Sequence, residues 1–133
     1  MEQRRTWGPR PRGPIPEGLR AKLATRLLQH VRKRWKGRVR KILLRFRGAY
    51  AYVAVIEAAS GEKAQPHVCR YREEGEVPLE LFRLGYVASI DQWAYSFFKY
   101  SDKRYEPSVV ASGSFLATPE QAFDCAAGVH IHG

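Results

Sequence analysis

Two apolar, β-rich runs separated by one Arg-Gly pair constrain the fold of this chain more than any other feature. Val39 to Phe46 and Ala49 to Glu57 are crowded with β-branched, aromatic and leucine side chains. Arg47-Gly48 between them suits a two-residue hairpin turn in which the glycine takes positive φ. That turn sets Phe46 opposite Ala49, Arg45 opposite Tyr50, Leu44 opposite Ala51, Leu43 opposite Tyr52 and Ile42 opposite Val53. Successive strand residues point to opposite faces of the sheet. One face then carries Ile42, Leu44, Phe46, Ala51, Val53 and Val55 and is expected to be core. The other carries Lys41, Arg45, Tyr50 and Tyr52 around Leu43, with Arg47 at the turn.

The segments around the hairpin read as an α+β fold. From Glu17 to Lys36, Leu19, Leu23, Ala24, Leu27, Leu28, Val31 and Trp35 fall within one half of a helical cylinder, and Lys22, Arg26, Arg32, Lys33 and Lys36 within the other. That phase predicts Leu19, Leu23, Leu27 and Val31 buried with Lys22, Arg26 and Lys33 exposed, and Gly37 stops the helix. His67 to Tyr71, Leu79 to Tyr86, Trp93 to Tyr100 and Tyr105 to Val110 are further strand candidates. A last helix opens with Thr118 as N-cap, Pro119 at the first helical position and Gln121 in a capping box, and is expected to end at Gly128. The architecture expected is an N-terminal helix, a four- to six-stranded antiparallel sheet and a C-terminal helix, with the helices on one face. Ahead of it, residues 1–16 read as a flexible, basic, Pro-rich arm on a single α+β domain spanning 17–133: four prolines and four arginines offer no apolar face to bury.

Charge is distributed as unevenly as structure. Residues 1–48 hold sixteen Lys or Arg against Glu2 and Glu17, whereas residues 49–133 hold seven against eleven acidic residues, so the net +10 is entirely an N-terminal property. Such asymmetry points to a polyanion partner, nucleic acid in the first instance. No apolar run approaches the ~20 residues a membrane-crossing helix needs. The opening residues lack the pattern of a secretory signal, and the two cysteines, Cys69 and Cys125, are too few for a disulfide scaffold. A cytoplasmic location with no membrane partner is therefore expected.

From Leu81 onward, LFRLGYVASIDQWAYSFFKYSDKRYEPSVVASGSFLATPEQAFDCAA resembles a set of small bacterial proteins without an assigned activity, a likeness that implies bacterial origin and carries no functional residue. Within it, a Trp-bearing strand, a second strand and then Gly113-Ser114-Phe115, Thr118, Glu120, Ala122, Phe123, Asp124 and Ala126-Ala127 resemble the sheet-plus-helix DNA-binding domain of phage integrases and plant ethylene-response factors. That resemblance implies a sheet facing DNA and carries over Trp93, with Lys99 and Arg104 as looser matches. Tyr95, Phe97 and Phe98 stand where the family's groove-reading strand has arginines.

The candidate binding residues follow from combining charge with flat rings. Arg26, Arg32, Lys33 and Lys36 on the helix and Lys41, Arg45 and Arg47 on the hairpin would neutralise phosphates, and Tyr50 and Tyr52 would stack unpaired bases. Two alternatives compete with a nucleic-acid partner. Trp93, Tyr95 and Phe97 share one strand parity and could form an exposed aromatic patch for a protein partner. A small metal-independent ribonuclease could use His30 and Glu57, were folding to bring them to one phosphate. The chain has no P-loop, nucleophile elbow or dinucleotide fingerprint and is not read as an enzyme, and no cofactor is expected. His67 with Cys69, and Cys125 with His130 and His132, are metal-ligand types without zinc spacing, and no metal is expected.

Overall fold

A computed structural model describes residues 10–131. The chain folds as α+β: α1 (Glu17–Arg34) and α2 (Pro119–His130) cover one face of a mostly antiparallel sheet. Its strands are β1 (Val39–Arg47), β2 (Tyr50–Glu57), β3 (His67–Cys69), β4 (Leu79–Ser89), β5 (Gln92–Lys99), β6 (Arg104–Pro107) and β7 (Leu116–Ala117). The spatial order is β3-β1-β2-β4-β5-β6, with β7 pairing β5 beside β6. No helix among the described residues is long and apolar enough to cross a membrane.

The hairpin has the expected faces and a different register. Arg47 pairs Tyr50, Arg45 pairs Tyr52, Leu43 pairs Ala54 and Ile42 pairs Val55, so the two-residue loop is Gly48-Ala49. Gly48 at φ +59 takes the first loop position, which keeps Arg47 inside the strand. The register therefore slips by two residues from the sequence expectation. A slip of two leaves every side chain on its original face, because the strand period is two. Ile42, Leu44, Ala51, Val53 and Val55 are buried against the helices as expected.

One pairing is parallel, contrary to the all-antiparallel expectation: Lys41, Ile42 and Leu43 lie beside His67, Val68 and Cys69. β2 ends where β1 begins, so a chain that rounds the free edge of β1 enters beside it in the same direction. The acidic stretch from 70 to 78 then returns across the outer face to start β4. It covers a small apolar cluster of Leu43, Ala54 and Ile56 with Cys69.

Under the helices, Leu23, Leu27 and Val31 pack with Phe82, Trp93, Tyr95 and Phe123, all essentially without solvent contact. Each such large apolar side chain contributes roughly 1.5–3 kcal/mol by leaving water. Leu19, expected buried, is only partly so. The Thr118–Gln121 capping box forms as expected, with both reciprocal bonds present. The helix runs past Gly128 to His130, whose ring stacks on Phe97 at 4.7 Å and 11°, and buried Ile131 closes it.

Residues 11–15, read from the sequence as part of a flexible arm, form a packed strap. Pro11 lies on Gly85, where an added Cβ would come within 2.6 Å of the proline Cγ and 3.2 Å of Tyr50. The Arg12 amide donates to the Tyr86 carbonyl at 2.7 Å, and Ile15 enters the core. Gly85 pairs Tyr50 and so faces the side of the sheet opposite the helices. The rest of the expected arm, residues 1–9, lies outside the described residues.

Candidate nucleic-acid interface

The sheet separates the sequence-predicted site into two parts. α1 lies over the core face, while the charged hairpin residues occupy the outer face, so one flat ligand cannot touch both. The end of α1 carries Arg32, Lys33, Arg34, Lys36 and Arg38, all exposed. Among the described residues none of these five has a carboxylate partner, and Arg32 Nε donates to the Pro66 carbonyl at 3.3 Å. Arg32 and Lys36 border a cleft of about 200 Å³ with Ala64, Gln65 and Pro66. Cations also favour a helix C-terminus by offsetting its negative dipole end, which is a structural role available to this cluster.

Two predicted contact residues are committed to the fold instead. Arg26 bridges α1 to α2 and to the β4–β5 turn: its guanidinium donates to both Glu120 oxygens at 2.6 and 2.9 Å and to Asp91 at 2.7 Å. Burial of Glu120 opposes ionisation most strongly, but the Arg26 hydrogen bond, a backbone amide of the helix start and the nearby positive charge together outweigh it and hold the carboxyl below its usual value. Lys41 is 6% exposed and donates to Glu76 at 2.9 Å, with Glu73 at 3.6 Å. Helical phase alone put Arg26 outward, and strand parity alone put Lys41 at the surface. Both expectations fail because carboxylates distant in sequence fold over them.

The upper half of the outer face stays open. Here Arg45 donates to Glu80 at 3.1 Å and sits 5.9 Å from the Tyr52 ring centre, while Arg47 is exposed and has no carboxylate partner among the described residues. Tyr50, Tyr52, Tyr105, Phe98 and Tyr100 form a continuous run of ring contacts, with successive centroids between 4.6 and 6.1 Å apart. Burial raises the Tyr105 hydroxyl well above its ordinary pKa, so it remains a proton donor, and it donates to Glu80 at 3.1 Å.

Arg83, not singled out from the sequence, sits in the middle of this face. Its guanidinium carbon lies 4.0 Å from the Tyr50 ring centre and 5.4 Å from that of Tyr105. Among the described residues it makes no hydrogen bond or ion pair, and its Nε is buried without a partner. The signal for it was an arginine at the outward parity of an otherwise apolar strand, Leu81-Phe82-Arg83-Leu84; the tyrosines beside it come from β2 and β6, which sequence does not join. Beside these residues lies a groove of about 530 Å³ lined by Arg45, Phe46, Arg47, Tyr52, Glu80, Phe98 and Tyr105.

Among the described residues the competing sites of the sequence do not assemble. Trp93 and Tyr95 are 0% and 1% exposed and Phe97 is partly buried against the same core, so the stripe named as an alternative protein anchor faces inward. Trp93, the position through which the integrase-type resemblance would reach DNA, donates its indole N–H to the Ile90 carbonyl inside the protein. Lys99 and Arg104 lie within ion-pair distance of Asp102 and Glu106. His30 is held between the helices by Asp124 at 2.7 Å, the same oxygen that accepts the Trp35 indole N–H at 2.8 Å. No contact among the described residues joins it to Glu57. His67 and Cys69 lie at the β3 edge, Cys125 lies on α2 near the Val109 carbonyl, and no group of three or more metal-ligating side chains forms among the described residues. His132 lies outside them.

No known protein family, curated protein or solved structure matches this chain.

Proposed function

We propose that the protein binds nucleic acid through the open half of its outer sheet face, with unpaired strands as the preferred form. The observation that carries this is Arg83: a guanidinium resting on two tyrosine rings, with a buried Nε and no acceptor of its own. A guanidinium so placed is pre-oriented for an acceptor that offers two oxygens side by side, such as the non-bridging oxygens of a phosphodiester. Arg45 and Arg47 flank it, and the strap brings exposed Arg12 to the same side. Rings interleaved with these cations offer stacking surfaces that only unpaired bases can use, because a duplex keeps its bases stacked on each other. The five cations closing α1 act on the same polyanion at longer range, as a field that speeds encounter. The cytoplasmic setting expected from the sequence accords with such a ligand.

The test is fluorescence anisotropy of labelled single-stranded RNA, single-stranded DNA and duplex over a range of salt. Single strands are expected to bind more tightly than duplex. Arg45→Ala with Arg47→Ala should lower the slope of log affinity against log salt by about 0.7 for each phosphate that is no longer neutralised. Tyr52→Ala should weaken single strands selectively. If Lys33→Ala with Lys36→Ala abolishes binding while the Arg45 and Arg47 substitutions leave it intact, the interface is the α1 end and the reading of the sheet face is refuted.

A further inference from the structure

A carboxylate in the middle of a cationic face needs an explanation. Glu80 borders the groove of about 530 Å³ together with Arg45, Arg47, Tyr52, Phe98 and Tyr105. Its Oε1 accepts two hydrogen bonds, from Arg45 and from the Tyr105 hydroxyl, both at 3.1 Å. Its Oε2 has no partner among the described residues. The backbone holds the side chain's root in place, because the Glu80 amide donates to the Tyr100 hydroxyl oxygen at 2.6 Å. Arg45 offsets the charge of the carboxylate, and the part-buried Tyr105 hydroxyl finds its acceptor on the same oxygen. Two donors on one oxygen orient the group and leave the other oxygen as an acceptor at the groove.

The groove's walls have the chemistry of a base site. Tyr52, Phe98 and Tyr105 supply flat apolar surface, the volume lies within the ordinary range for small-ligand sites, and Arg45 and Arg47 stand where a flanking phosphate would be neutralised. The oxygen of Glu80 then reads the edge of whatever enters. An exocyclic amino group donates to a carboxylate freely. Uracil and thymine present instead a single ring N–H flanked on both sides by carbonyl oxygens, which repel it.

We infer that this groove receives one unpaired base bearing an exocyclic amino group, in preference to uracil or thymine, and that Glu80 is the residue that makes the distinction. The inference rests on the nucleic-acid reading of the same face and adds to it the class of base.

The experiment compares labelled decamers of cytidine and uridine, two pyrimidines that stack poorly and differ at the edge in question, against the full chain and its Glu80→Gln variant at low salt. The full chain should bind the cytidine decamer more tightly by on the order of ten-fold, the size of one hydrogen bond to a charged acceptor. Glutamine keeps the shape and the Tyr105 contact but replaces one acceptor by a donor. In Glu80→Gln the preference should collapse, mainly because uridine binds better. Equal affinities for the two decamers in the full chain overturn the inference and leave nucleic-acid binding standing, as does a preference that survives Glu80→Gln. Absence of binding to either decamer overturns the nucleic-acid reading itself, and this inference with it.

Discussion

Replacing Arg26 by alanine separates a structural cation from a binding one. In the folded protein its guanidinium makes three short bonds to two carboxylates, at 2.6, 2.9 and 2.7 Å, with side-chain exposures of 28% for Arg26, 30% for Glu120 and 67% for Asp91. Hydrogen bonds to charged groups contribute roughly 1.5–3 kcal/mol each where solvent is excluded, and exposed ion pairs only about 0–1. The Asp91 arm belongs to the second class. The Glu120 fork lies between the two, and because Glu120 keeps the favourable N-terminal end of α2 after the substitution, the net destabilisation is about 2 kcal/mol. For a chain of this size that is a fall in Tm of roughly 6–8 °C. The pH dependence has a definite sign. Glu120 has a folded pKa below its ordinary value, so its contribution is complete above the unfolded pKa and is lost as pH falls through the folded one. The gap in Tm between the full chain and Arg26→Ala should therefore be widest near neutrality and narrow below about pH 4. Circular-dichroism melts measure it, and anisotropy titrations against salt on the same samples measure binding. An unchanged Tm accompanied by a salt slope reduced by about 0.7 to 0.9, the share of one phosphate, would refute the structural assignment and return Arg26 to the nucleic-acid interface.

Two further expectations follow from residues that sequence reasoning treated differently. Lys41→Ala should lower Tm without changing the salt slope of binding, since Lys41 is enclosed by Glu73 and Glu76. Glu76 is held below its ordinary 4.5 by the Glu73 amide and by Lys41, so this destabilisation too should shrink in acid, read in melts across pH. Gly85→Val should dislodge the strap, because its Cβ has no room beside Pro11, at a cost of about 1–3 kcal/mol. Faster trypsin cleavage after Arg12, at the Arg12-Gly13 bond, with weaker single-strand binding is the expected readout, and unchanged cleavage would show that Pro11 does not bear on Gly85.

Local chemistry alone determined a good deal of this protein. Helical phase from Leu23 to Val31, the capping box at Thr118 and the alternation along β1 and β2 are each written within a few neighbouring residues, so each was legible without tertiary information. Even the wrong hairpin register left Arg45, Arg47, Tyr50 and Tyr52 on the correct face, since a two-residue slip conserves strand parity. The charge partition was equally legible, but its meaning was not. Which cations remain available depends on where carboxylates arrive from: Glu120 reaches Arg26 across 94 positions and Glu76 reaches Lys41 across 35. Parity cannot anticipate those meetings, nor that α1 and the hairpin's charged face end on opposite sides of one sheet. Arg83 acquired its place in the same way. Its own neighbourhood marks it only as an outward arginine in an apolar strand, and the pairing of β4 with β2, and of β5 with β6, brings two tyrosine rings to its guanidinium while supplying no acceptor. Pattern within a segment sets which way a side chain points; long-range pairing of strands decides what it meets there.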